Sequence, residues 1–383
     1  MKKSNENRKK FHILLTVCLA FVVVIFDILF FVMPDRAVSE TENRNLQLFP
    51  RLTWNTVTSG RFESQFDKYV ADQFPGRDAW IAAETTVQRF AGNTLSNNIF
   101  LGSDGYLIKS FTDRDNDGYT AAVRKVTDVS EKHKDLRQYV LVAPGAISIL
   151  DYRLPVNGAA VAGDEDRFID NLLRDFSMKG LTAVDVRQNL RDMDASGIQV
   201  YYRTDHHWTT DAAYEAYKVF AEAAGITRSD VEYNRIMVTD SFQGTLTASS
   251  GFRTGETDSI YVYIPEDTGD ENDQGPGVYN VINVDTGVKT ASMYEPAALD
   301  TRDKYAVFFG GNHGELKIQT ASASFRNILV LKDSYANCFV PFMTADFTNI
   351  IMVDPRYYLG DLDQLISDEE ITDILYLYCT DSF

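Results

Sequence analysis

The sequence predicts an α/β protein: a parallel sheet flanked by helices, with a β-rich insertion and an N-terminal transmembrane helix. Three observations carry that expectation. From Thr120 to Tyr202 helical and strand-like segments alternate, as they do in parallel βαβ units. The later runs Asn327 to Leu331, Asn349 to Val353 and Ile374 to Tyr378 are apolar almost throughout, the mark of strands buried on both faces. At the other end Phe11 to Met33 is apolar but for His12, Thr16 and Asp27, and at 1.5 Å per residue that length crosses a hydrocarbon layer of roughly 30 Å.

Residues 1–10 read as a cytoplasmic tail, because Lys2, Lys3, Arg8, Lys9 and Lys10 form the basic flank that stays inside. Residues 11–33 are then an uncleaved signal anchor, and the chain beyond it lies outside the cytoplasm. A cleaved signal peptide fits less well: the run is longer than an ordinary signal core and no small-residue cleavage site comes after it. Asp27 is costly at membrane depth unless it is protonated or paired. Residues 34–105 form a polar juxtamembrane tether and a helical preamble, in which Phe62, Phe66, Tyr69 and Val70 recur at helical spacing and Ala79 to Ala91 resumes after Phe74-Pro75-Gly76. Trp54 and Trp80 are assigned to packing.

The α/β domain spans residues 106–383. Asp113 to Gly118 resembles half of a calcium loop, but Arg124 stands where the bidentate Glu belongs, so the stretch is read as a solvated turn. Helices near Thr120–Lys134 and Asp164–Met178 lead to strands at Tyr139–Ala143 and Ala183–Val186, and Ile198–Tyr202 is taken as a further strand. The helix after Trp208 has one apolar stripe, Ala213, Ala216, Tyr217, Phe220, Ala221 and Ala224. Between about 226 and 301 short alternating runs such as Ile260–Ile264 and Val278–Ile282 are split by Gly, Pro and acidic turns, hence the β-rich insertion, with Asp267 to Asp273 as a solvated tip. The core resumes with a strand at Tyr305–Phe309. Cys338 and Cys379 are expected as buried free thiols. A formal charge of −18 speaks against nucleic acid as a partner.

Chemistry concentrates at Thr204-Asp205-His206-His207-Trp208. On an extended segment Asp205 and His207 project to one side and His206 to the other, so one carboxylate can orient one imidazole. Such a relay needs a nucleophile, and Ser334 sits where the Asn327–Leu331 strand breaks into a helix. Strand ends at Asn312, Ser334 and Arg356 gather at one carboxyl edge of the sheet, where open α/β folds bind ligands.

These residues resemble the DHHW family, relatives of the SGNH-hydrolase-like alginate O-acetyltransferases, in which an Asp-x-His-Trp signature is followed by a late serine. Phe74-Pro75-Gly76-Arg77-Asp78, Gly102-Ser103-Asp104-Gly105-Tyr106-Leu107, Gly310-Gly311-Asn312, Lys332-Asp333-Ser334-Tyr335-Ala336-Asn337 and Asp354-Pro355-Arg356-Tyr357-Tyr358 extend the likeness over about residues 35–383. The resemblance implies an SGNH-like fold and an O-acetyltransferase or carbohydrate esterase with Ser334, His207 and Asp205 as catalytic residues. Asn312 and Gly311 would serve the oxyanion, and Arg356 or Trp208 the substrate, although a surface ion pair and plain packing serve equally for those two. It further implies a cell-surface or cell-wall glycan as partner, a membrane-bound O-acyltransferase as acyl source, and neither cofactor nor metal. Two other readings stay open: a non-catalytic polysaccharide-binding or assembly protein on the same fold, and a metal-dependent hydrolase in which His206, His207 and Asp205 bind an ion, which on a strand would require a bulge.

Overall fold

The computed structural model describes residues 2–39, 44–227, 231–266 and 277–383. The acidic tip Asp267 to Asp273 lies outside them. The chain divides into two compact units, Met1–Gly92 and Asn93–Phe383.

In the first unit, helix α1 (Lys2–Val32) contains Lys10–Val32, the one helix among the described residues long and apolar enough to cross a membrane. After a short helix at Trp54–Thr58 come α2 (Arg61–Gln73) and α3 (Arg77–Phe90), separated at Phe74-Pro75-Gly76, where a left-handed Gly76 caps the start of α3. Val38–Ser39 and Arg44–Asn45 pair as a small antiparallel ladder within what reads as tether.

The second unit is built on an eight-stranded sheet. In chain order its four longest helices among the described residues are α4 (Asn116–Ser130), α5 (Glu165–Met178), α6 (Arg187–Ala195) and α7 (Thr210–Ala223). Beyond a small antiparallel sheet of Leu95–Ser96, Ile99–Leu101 and Leu107–Lys109, its strands are β1 (Arg137–Ala143), β2 (Thr182–Val184), β3 (Tyr233–Phe242), β4 (Asp258–Pro265), β5 (Tyr279–Asn283), β6 (Lys289–Thr290), β7 (Glu315–Thr320), β8 (Asn327–Lys332), β9 (Asn349–Val353) and β10 (Asp373–Cys379). The sheet order is β6-β5-β7-β9-β8-β10-β1-β2. The five strands from β9 to β2 are parallel, and β7, β5 and β6 extend the sheet antiparallel. The fold is thus the expected α/β sheet flanked by helices, with one edge lengthened by the insertion. Strands β3 and β4 form a separate two-stranded arm.

Capping explains the helix starts. Asp115, Asp164 and Thr209 each accept a backbone N–H of the first turn of α4, α5 and α7, so the calcium-like stretch ends as a helix cap. Two expected strands are absent. Of Ile198–Tyr202 only Tyr201 pairs, in a single antiparallel bridge with Trp208, because the chain turns back at once. Tyr305–Phe309 instead follows a 3-10 turn over Lys304–Val307, and Phe309 is left-handed; five apolar residues suit a buried turn as well as a strand. Cys338 and Cys379 are buried free thiols.

Candidate active site

The Asp/His segment is a closed loop, held shut by Tyr202 N–H to the His207 carbonyl (3.3 Å) and Thr209 N–H to the Val200 carbonyl (2.9 Å). Inside it the Asp205 Oδ1 accepts both the backbone N–H of His207 (3.0 Å) and its Nδ1 (2.5 Å). A carboxylate only accepts, so Nδ1 carries the proton and Nε2 is left as the acceptor. That Nε2 lies 2.7 Å from Ser334 Oγ. The Asp205–His207 contact therefore arises from a turn rather than from strand alternation. The same turn corrects the placement of His206: with no pleat to send it to a far face, its ring lies 3.9 Å from that of His207, and its Nδ1 meets Thr245 Oγ1 at 2.9 Å.

Ser334 opens a 3-10 turn directly after β8, which ends at the carboxyl edge of the sheet. It is the partly exposed residue in a buried stretch. Asp333 shapes the turn, accepting from Tyr335 N–H (3.0 Å) and from Cys379 N–H on β10 (2.7 Å). Two bonds stitch the serine turn to the His loop: Trp208 Nε1 to the Tyr335 carbonyl (3.0 Å), and the Tyr335 hydroxyl to the His206 carbonyl. The far face of the His207 ring stacks on Tyr305, 3.9 Å away and 10° from parallel.

The insertion supplies the second layer. Asp205 Oδ2 accepts Thr245 N–H (2.8 Å) and Oγ1 (3.0 Å). A Cβ on Gly244 would fall 2.1 Å from the Asp205 Cβ, so only glycine lets the two segments approach. Asp258, at the start of β4, accepts from Gln199, from the backbone of Arg203 and from both the backbone and hydroxyl of Thr204, fixing the loop's entrance. Burial favours a neutral Asp205, but the positive charge that His206 or His207 gains on protonation and the hydrogen bonds from His207 and Thr245 outweigh it and hold the carboxyl well below its usual range. Burial and the His207 charge push His206 down, so it stays neutral beside the relay.

Asn312 lies in a buried polar knot. Its Oδ1 accepts from Lys332 Nζ (2.9 Å) and Asn337 Nδ2 (3.2 Å), and Lys332 also reaches Asn337 Oδ1 (2.7 Å) and Asp354 Oδ2 (4.0 Å). A lysine only donates, so the Asn312 amide is fixed oxygen-inward with its NH2 directed away from the knot. Burial lowers Lys332 to about 8 despite Asp354 and Asp333. The Ser334 N–H donates to no group among the described residues. Gly311, by contrast, spends its N–H on the Phe308 carbonyl (3.1 Å); its role is conformational, at the end of three successive left-handed residues, Phe309, Gly310 and Gly311. Arg356 is clamped on Asp354 by bonds of 2.9 and 2.6 Å, which makes it half of an ion pair. Trp208 is fully buried, so it offers no face to a sugar.

A groove of about 240 Å³ borders the Asn312 loop, lined by Asn283, Thr290, Ser292, Tyr294 and His313 among others. On the other side His206 and Tyr335 border a cavity of about 20 Å³, room for a single water, together with the buried Glu165. Glu165 Oε1 accepts Gly145 N–H (2.9 Å) and the Thr380 hydroxyl, while Oε2 has no partner. The donor atoms of Asp205, His206 and His207 lie within 4.8 Å of one another. Both ring nitrogens of His207 and both oxygens of Asp205 already hold hydrogen bonds, so a cation there would have to displace the contacts to Ser334 or Thr245.

Sequence reasoning did not single out Thr245, Gly244, Asp258, Lys332 or Tyr305. Only Lys332 left a signal: a lysine closing an apolar strand.

Comparison with solved structures finds a DHHW family protein from Eubacterium siraeum, 24% identical, covering 75% of this chain and 92% of that one with a TM-score of 0.60. Bacillus cereus PatB1, in a structure with a sulfonyl adduct, is 20% identical over 73% of this chain and 95% of that one, TM-score 0.56. The O-acetyltransferase domain of Pseudomonas putida AlgJ is 14% identical over 75% and 95%, TM-score 0.44. No curated protein matches. The sequence model of the DHHW protein family matches residues 84–353, and the chain belongs to the DHHW family.

Proposed function

We propose that this chain is a serine-dependent acyltransferase or esterase acting on O-acetyl or similar acyl groups of a cell-surface or cell-wall glycan, outside the cytoplasm and anchored by α1. The observation that supports it most is the unbroken hydrogen-bonded chain from Asp205 through His207 to Ser334. His207 Nε2 takes the Ser334 Oγ proton as Oγ bonds to the acyl carbon, and the carbonyl electrons move onto oxygen. The Ser334 N–H and the Asn312 amide are the donors for that oxyanion. Collapse breaks the bond to the leaving group, which departs with the proton from His207 and leaves acyl-Ser334. A glycan hydroxyl or water then gives its proton to His207 and attacks the acyl carbon, and the proton returns to Ser334 as Oγ leaves. Asp205 keeps the imidazole in one tautomer and stabilises its charged form.

The groove beside Asn312 supports a glycan acceptor: its Asn283 amide and its Ser and Thr hydroxyls match sugar hydroxyls, and Tyr294 offers an aromatic ring. A membrane-bound O-acyltransferase is the matching source of acyl groups. That PatB1 has been obtained with a sulfonyl adduct favours a sulfonylating probe here, since such reagents capture activated nucleophiles.

In the test, wild type releases acetate from an activated aryl ester, and a sulfonyl fluoride blocks this by modifying Ser334. Ser334→Ala, His207→Ala and the double variant each lose activity by the same factor, on the order of 10³ or more, because members of one relay fail together. Adding an oligosaccharide speeds ester consumption and moves acetyl to the sugar if transfer dominates. Equal inertness of wild type and Ser334→Ala, with unchanged glycan binding in both, would overturn catalysis in favour of a binding scaffold.

A further inference from the structure

The helical preamble does more than trail the membrane helix. Phe26 of α1 stacks on Phe74 with ring centroids 5.4 Å apart, and Trp80 of α3 lies 6.0 Å from the same ring. Phe30 meets Tyr69 of α2 edge-on at 5.7 Å. Phe26 is six residues before the end of α1, about 9 Å along the axis at 1.5 Å per residue. The apolar stretch Lys10–Val32 measures about 35 Å, only about 5 Å more than a hydrocarbon core. Rings packed at the level of Phe26 are therefore below the point where α1 leaves the lipid.

The polar groups fall one layer higher. Tyr69 donates its hydroxyl to Asp35 (2.9 Å), the Arg36 N–H donates to Gln73 (2.9 Å), and Arg36 pairs with Asp78 at 3.2 Å. The order of layers, rings beside Phe26 and then charges beside Asp35, reproduces the passage from acyl chains to headgroups. Yet Trp80 is 55% exposed and Phe74 39%, so the protein alone leaves more than half of one residue and over a third of the other uncovered at a depth where lipid would surround them.

We propose that the turn from α2 to α3, with Phe74 and Trp80 at its apolar tip, is inserted into the outer leaflet of the same bilayer that α1 crosses. This rests on the reading of α1 as an anchor. The preamble is then an interfacial element, and α1 does not swivel as a lone tethering helix: it is clamped at its outer end by a second, reentrant contact with the lipid. Insertion removes the apolar rings from water and leaves their charged neighbours at the headgroup level.

The experiment uses the full chain in phosphatidylcholine vesicles. Of the three tryptophans Trp208 is fully buried, so Trp54→Phe leaves Trp80 as the lipid-accessible reporter, and Trp54→Phe with Trp80→Phe gives the background. The difference between them is expected to show blue-shifted emission that is largely lost in vesicles of brominated phosphatidylcholine. Emission of Trp80 unchanged by bromine, in a chain that survives alkaline extraction with the vesicles, overturns the insertion while leaving the anchor standing; a partner protein or open solvent then covers the tip. A chain that alkaline extraction removes overturns the anchor and the insertion together.

Discussion

A buried carboxyl with no cation beside it is held more cheaply neutral than charged, and Glu165 is such a group. Burial raises it from 4.5 to about 7, against the hydrogen bonds from Thr380 and Gly145 that favour the charged form. The folded state thus keeps a proton that the unfolded chain has released, and each step of pH from about 4.5 to about 7 costs stability, up to about 3 kcal/mol over the interval. Glu165→Gln mimics the protonated form and keeps an oxygen for Gly145 and Thr380. The variant should lose this slope, becoming more stable than wild type above pH 7 and equal to it near pH 4.5. Thermal unfolding followed across that range checks it; parallel curves for the two proteins would sink the assignment. Asp205, His207 and Ser334 could be picked out of the sequence because each stands in a short polar string at the end of an apolar run. His206 could not be placed, because its orientation depends on a turn that Asp205 makes with the backbone two residues on.

Among the elements, those with a period or a cap were legible and those defined by distant partners were not. Strands β8, β9 and β10 announce themselves as unbroken apolar runs because lipophilic side chains cover both faces, and α5 and α7 by stripe and cap. The insertion reads as β-rich, but nothing local reveals that β5 and β6 join the main sheet or that the arm braces the site. Thr245 reaches Asp205 across 40 positions and Asp258 reaches Thr204 across 54, separations no window of periodicity spans. The arm's contribution is testable through Asp258→Ala. It strands the N–H groups of Arg203 and Thr204 and the Gln199 amide, all at the loop's entrance, and should cost about 2–4 kcal/mol in urea unfolding. Ester release should fall with it even at concentrations of urea where both proteins are folded. Full activity in a destabilised variant would show that the arm supports the fold but not the geometry of His207.

At the scale of the whole molecule the last strand is the middle one of the five parallel strands. β10 lies between β8 and β1, and Arg137 at the head of β1 pairs with Asp373 at the head of β10 across 236 positions of chain. Ile374, Leu375, Tyr376, Leu377 and Tyr378 are all buried, and at about 1.5–3 kcal/mol for each side chain their removal matches the entire stability of an ordinary domain. A chain ending at residue 372 should show no cooperative unfolding transition by circular dichroism, whereas a sharp transition in that variant would mean that β8 and β1 can close the sheet without it. The order of synthesis gives this arrangement a further meaning. In synthesis β1 is made early and can pair with β2, but its other edge stays open until β10 emerges, so the sheet is completed only by a slow, long-range pairing. Because the Cys379 N–H holds the carboxylate of Asp333, next to the serine, the nucleophile's turn is set only at that moment. On the proposed reading the relay is incomplete until that strand pairs, and a chain stalled or clipped short of it never acquires its chemistry.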